Sequence, residues 1–159
     1  MRYEGYLKDL NRIHTSEIYG AAVFRAAASV TLNKTMRAKW KLLYELEVQT
    51  LKRFHAYMVE TNQKILFTWG WSLRGHAEGI VLGLLPWEIA MRMLADGTES
   101  YQQTFARLKK HSVPEDEGFF DYVYAHEKAI EAFALKELSF EKESTLVLNA
   151  LLNNEGVSD

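Results

Sequence analysis

Apolar residues return at three- and four-residue intervals along almost the whole chain, and only two prolines, Pro86 and Pro114, interrupt them. That spacing gathers apolar positions on one face of a 3.6-residue helix, and no run alternates apolar with polar as a half-buried strand would. An all-α fold is therefore expected. The first segment, about Glu4 to Thr31, brings Leu7, Leu10, His14, Glu17, Ala21, Phe24 and Ala28 to one face. The second, about Met36 to Asn62, does the same with Met36, Trp40, Leu43, Glu47, Thr50, Phe54 and Tyr57, and "TLNKT" before it offers Asn33 or Thr35 as a cap. So short a connection lays the two helices antiparallel.

The middle of the chain, "ILFTWGWSLRGHAEGIVLGLLPWEIAMRML", is richer in Gly and Trp. It reads as an irregular crossover, a short helix from about Leu73 to Leu84, and a helix restarted with Pro86 in its first turn. That third long helix continues through Met91, Leu94, Thr98, Tyr101, Phe105 and Leu108. "HSVPEDEG" is a loop, and a fourth helix, about Glu117 to Leu138, aligns Phe120, Val123, Glu127, Ile130, Ala134 and Leu138. A shorter helix, about Phe140 to Leu152, leads into the polar "NNEGVSD".

At 159 residues and 48% hydrophobic content, a single domain over residues 1–159 is the natural organisation. The absence of cysteine excludes disulfides, thiolate catalysis and thiolate-held metal clusters, and fits a cytoplasmic setting. Nineteen basic against 21 acidic residues, scattered along the chain, argue against nucleic acid as a partner. The N-terminal "MRYEGYLKDLNRIH" has no apolar core of a secretory signal. The most apolar run, Gly79 to Trp87, falls well short of the roughly 20 residues a spanning helix needs.

Three of the long helices carry a glutamate inside the apolar seam: Glu17, Glu47 and Glu127. A carboxylate buried alone costs several kcal/mol, so such positions call for a metal or a buried partner. Inward glutamates from several helices are the ingredients of a dimetal carboxylate site, which draws one Glu from each of two helices and Glu-x-x-His from each of the other two.

At these motifs the sequence resembles the ferritin-like superfamily, within it the rubrerythrin-like and demethoxyubiquinone hydroxylase type diiron carboxylate branch. "SEIYGAAVFR" (Ser16 to Arg25) is similar to the first helix of that branch. "ELEVQTLKRF" is similar to its second-helix motif Glu-x-x-His-Leu-x-x-Phe, with Glu47, Leu51 and Phe54 in place. "HEKAIEAFALKEL" (His126 to Leu138) is similar to its final-helix motif, and "GIVLGLLPWEIAM" to the stretch leading into its third ligand helix. The resemblance spans about Leu7 to Leu138. It implies a ferritin-like antiparallel four-helix bundle with a long crossover between the second and third long helices and a short C-terminal helix. It also implies Glu17, Glu47 and Glu127 as metal ligands, with the third-helix ligand falling near Thr98 or Glu99, and a divalent metal pair, iron or manganese, as cofactor.

The departures bear on function. Thr50 and Ile130 stand where the two Glu-x-x-His histidines belong. His14, one turn before Glu17 on the same face, could reach the site or instead bond a neighbouring carboxylate in the core. His126 lies about 100° around its helix from Glu127, so both are not expected to point fully inward. Loss of both histidines implies a degenerate, redox-inactive site, with function exercised through a small molecule in the bundle core or through a partner surface. The alternative is an active dimetal oxidoreductase or hydroxylase with an altered ligand set. The aromatic "LFTWGWSLRG" suggests peripheral membrane contact, against packing at the end of the bundle or in an interface. The small residues of "GAAVFRAAAS" suit close helix approach, in the core or in a homodimer.

Overall fold

The computed structural model describes residues 4–64 and 69–153, and among them every regular element is helical. Helix α1 spans Tyr6–Val30, α2 Lys34–Glu60, α3 Trp69–Leu84, α4 Trp87–Lys110, α5 Glu117–Leu138 and α6 Leu146–Asn153. Asn33 is the cap of α2: its side chain accepts from the amides of Thr35 and Met36 at 2.9 and 3.1 Å. Pro86 sits at the N-cap of α4, just outside the helix, and Pro114 opens a single 3-10 turn, Pro114–Asp116, that runs directly into α5.

Side-chain pairs fix the helix directions. The start of α1 meets the end of α2 through the Tyr6 and Tyr57 hydroxyls, and the end of α1 meets the start of α2 where Phe24 stacks on Trp40. The start of α5 reaches the end of α2 through Phe119 on Tyr57, while its end reaches the start of α2 through Lys39 and Glu137 at 2.6 Å. Trp87 at the start of α4 donates to the same Glu137 at 2.7 Å, and Arg107 near its end grips Asp9 of α1 through two bonds of 2.6 and 2.9 Å. Thus α2 and α4 run one way and α1 and α5 the other. The chain between α2 and α4 must travel back along the molecule, and α3 makes most of that return.

Helix α3 is longer and more regular than the expected Leu73 to Leu84, and it packs along α1 in the same direction. Its contact face is built from glycine. A Cβ at Gly75 would lie 2.6 Å from the Tyr19 carbonyl oxygen, one at Gly79 2.3 Å from that of Val23, and one at Gly83 2.6 Å from that of Ala27. Four-residue spacing keeps the three glycines on one face, so backbone meets backbone. The small residues after Gly20 therefore serve this intramolecular contact.

The core is split. One apolar cluster holds Phe24, Trp40, Leu43, Leu46, Met91, Ile130 and Phe133; the other holds Tyr6, Leu10, Ile13, Phe54, Phe105, Leu108 and Phe120. Between them, at the middle of α1, α2, α4 and α5, lie the buried polar residues Glu17, Glu47, Thr50, Thr98, His126 and Glu127. Helix α6 starts later than expected. The chain after α5 turns at Phe140 with a positive φ of 57°, and the Ser144 hydroxyl then donates to Glu137 before α6 begins. No helix among the described residues is long and apolar enough to cross a membrane. Of "LFTWGWSLRG", Trp69 and Trp71 are exposed at the start of α3; positions 66–68, like 154–159 of the polar tail and 1–3 of the N-terminal stretch, lie outside the described residues.

Candidate metal centre

Glu17 enters the polar layer from α1 and Glu47 from α2, and the carboxylate of Glu47 occupies space that only Gly20 leaves open. A Cβ at position 20 would stand 2.6 Å from Glu47 Oε1. The third group is His126 of α5, fully buried, with Nδ1 at 3.7 Å from Glu17 and Nε2 at 3.6 Å from Glu47. One atom from each of these three residues falls within a span of 4.8 Å.

His126 overturns an expectation. A 100° offset argues that His126 and Glu127 do not both point fully inward, yet both residues are buried. The reason is that α5 is covered by α2, α4 and α6 together, so its buried arc is much wider than one seam. His126 faces the carboxylates of α1 and α2, and Glu127 faces a cavity of about 550 Å³ lined also by Glu47, Thr98, Tyr101, Phe24, Leu94 and Ile130. An imidazole thus stands beside the carboxylates from the position one residue before Glu127.

The other candidates divide. Glu99 is exposed on α4 and takes no part in the cluster, because Thr98 occupies the inward position and spends its hydroxyl on the Ala95 carbonyl. His14 is buried but lies outside the cluster, packed between Phe54 and His55, and it bonds no carboxylate. Thr50 donates to the Leu46 carbonyl at 3.0 Å and pairs with the Tyr122 hydroxyl at 3.2 Å, while Ile130 belongs to the apolar cluster. His76 and His111 are on the surface.

The electrostatics follow from burial. Burial raises Glu17 well above the ordinary carboxylate range and the Glu47 charge raises it further; burial, reinforced by Glu127, pushes Glu47 up to about 8. Glu127 is raised for the same reasons, by burial first and by Glu17 second. Burial pushes His126 down to about 3, so its imidazole is neutral at pH 7, the form that ligates a metal.

Both oxygens of Glu17, Oε2 of Glu47 and both nitrogens of His126 are buried without a hydrogen-bond partner. Unpartnered groups of this kind each cost roughly 1–3 kcal/mol, and more when charged. A divalent cation would satisfy one carboxylate oxygen from each glutamate and one nitrogen of His126. Ligands about 2.0–2.2 Å from a shared ion stand at most about 4.4 Å apart, close to the 4.8 Å span within which one atom of each residue falls. Two carboxylates with one imidazole suit Mn²⁺, Fe²⁺ or Zn²⁺, and three ligands leave positions open. The donor set fits one ion; a pair would need Glu127 and ligands that Thr98, Thr50 and Ile130 do not provide. Comparison of the chain with protein-family models, with curated proteins and with solved structures finds no match.

Proposed function

We propose that the protein is a ferritin-like antiparallel four-helix bundle, formed by α1, α2, α4 and α5, whose dimetal site is reduced to a single metal position. Glu17, Glu47 and His126 hold one divalent ion there. The protein acts by binding a small, largely apolar molecule in the adjoining cavity, and the metal pair of the family's oxygen chemistry is not rebuilt. The observation that carries this reading is that one ligating atom from each of three buried residues with unpartnered polar atoms, Glu17, Glu47 and His126, falls within 4.8 Å of the others. The cavity supports the second half: Glu47 lines it, so a bound molecule would lie beside the ion's open positions.

Within that reading each residue has a task. Glu17 and Glu47 neutralise the ion, neutral His126 adds a nitrogen ligand, and Gly20 leaves room for the Glu47 carboxylate. The bound ion would supply Lewis acidity to a polar group of the guest. Val23, Phe24, Leu82, Met93 and Leu94 exclude water from the guest's apolar part.

Titration of chelator-treated protein with Mn²⁺, followed by electron paramagnetic resonance, tests it. One ion per chain is expected, with binding abolished by Glu47→Gln. Two spin-coupled ions would instead support the second reading, a dimetal oxidoreductase, which the presence of His126 keeps in play; oxygen uptake in step with oxidation of two added Fe²⁺ per chain would establish it. Absence of any ion would leave a metal-free binding protein.

A further inference from the structure

One turn below the central cluster is a second pair of ligating groups that the first does not use. His14 of α1 is buried at 1% exposure, and neither of its ring nitrogens has a hydrogen-bond partner. Phe54 closes one side of it, with ring centres 5.7 Å apart. On another side stands His55 of α2, whose ring centre is also 5.7 Å away, the two imidazole planes inclined at 55°.

A separation of that size is compatible with two imidazoles sharing one ion. An ion bound to an imidazole nitrogen at about 2.0–2.1 Å lies about 3.2 Å from the ring centre. Two imidazoles on one ion at angles of roughly 110–130° therefore place their ring centres about 5.2–5.8 Å apart. The observed separation falls inside this range before any side chain moves. His55 is exposed, so the ion has a route from solvent and water can complete its coordination.

We propose that His14 and His55 form a second metal site, bridging α1 and α2, that takes a divalent transition ion favouring imidazole, zinc or copper. Its donors are nitrogen alone, whereas the central cluster is mainly carboxylate, so Mn²⁺ favours the cluster, while Cu²⁺ suits either site and reports on the histidine pair once the cluster is disabled. The site does not depend on Glu17, Glu47 or His126.

The test uses the full chain carrying Glu47→Gln, which disables the central cluster, titrated with Cu²⁺ and followed by electron paramagnetic resonance. One copper per chain with hyperfine coupling to two nitrogens is expected. Adding His55→Ala should weaken that binding at least tenfold, with helix content unchanged because the His55 side chain lies at the surface. Copper binding indifferent to His55→Ala, coupling to a single imidazole, or no copper bound by the Glu47→Gln chain would each overturn the proposal. Mn²⁺ titration of the wild type is a separate measurement, so the two sites stand or fall independently.

Discussion

Gly79→Ala is a small substitution with a large expected effect. An added Cβ would lie 2.3 Å from the Val23 carbonyl oxygen, 2.8 Å from Val23 Cα and 2.9 Å from the Ala26 methyl. Ordinary contact begins about 1 Å further out, so α3 has to recede from α1 by about that much. Two of the three obstructing atoms are backbone, which no rotamer change relieves. Overpacking of this kind costs about 1–3 kcal/mol, here near the top of that range, while alanine returns about 0.8–1 kcal/mol of helix propensity. A net loss of about 2 kcal/mol is expected. Gly97→Ala is the control: it lies within α4 with nothing within 4 Å of the new methyl, so it should gain up to about 1 kcal/mol. Urea denaturation followed by circular dichroism reads both variants, and for a chain of this size the difference of about 3 kcal/mol corresponds to about 6–12 °C in melting temperature. If Gly79→Ala proves as stable as Gly97→Ala, the close backbone contact between α1 and α3 is wrong.

Three further outcomes follow from other sites. Glu137 resists deprotonation through burial, but bonds from Lys39, Ser144 and Trp87 outweigh this and hold its carboxyl below the ordinary range; its contribution is present above the unfolded pKa and is lost as pH falls through the folded one, so denaturation midpoints of wild type and Glu137→Gln should converge on acidification. Gly20→Ala should weaken Mn²⁺ binding at least tenfold while leaving all three ligands in the sequence, because the new methyl takes the place of Glu47 Oε1; unchanged affinity in the same titration would remove Gly20 from the site. In metal-free protein Glu47→Leu should raise stability by about 1–3 kcal/mol by removing a buried carboxylate, whereas Mn²⁺ at a hundred times its Kd should stabilise only the wild type, by about 2.7 kcal/mol; thermal melts with and without the ion measure both.

The long helices were legible because spacing reports burial: α5 begins and ends where its seam does, and α1 and α2 lie within two residues of theirs. Glu17, Glu47 and Glu127 were legible for the same reason, since a charge in an apolar stripe is conspicuous. His126 was hidden because a one-seam rule assumes a helix buried on one side, and α5 is covered on three. Of Thr98 and Glu99, the seam spacing through Met91, Leu94, Thr98 and Tyr101 favours Thr98, and Thr98 is the one that is buried. The close packing of α3 depended on glycines whose role appears only against a neighbouring backbone. Four-residue spacing of Gly75, Gly79 and Gly83 was the signal available.

Helix α3 also has an unusual balance of forces. Gly75 and Gly79 are its only buried residues, while Trp69, Leu73, Val81 and Leu84 remain exposed. Shape complementarity to α1 positions the helix, and little of its own apolar area anchors it. Its attachment therefore rests on close backbone packing against α1 more than on burial of its own side chains. Because α3 supplies Trp71, Arg74, Glu78, Val81 and Leu82 to the cavity wall, the shape of the cavity is set by three positions that lack a side chain, and any methyl that pushes α3 off α1 also moves one wall of that cavity.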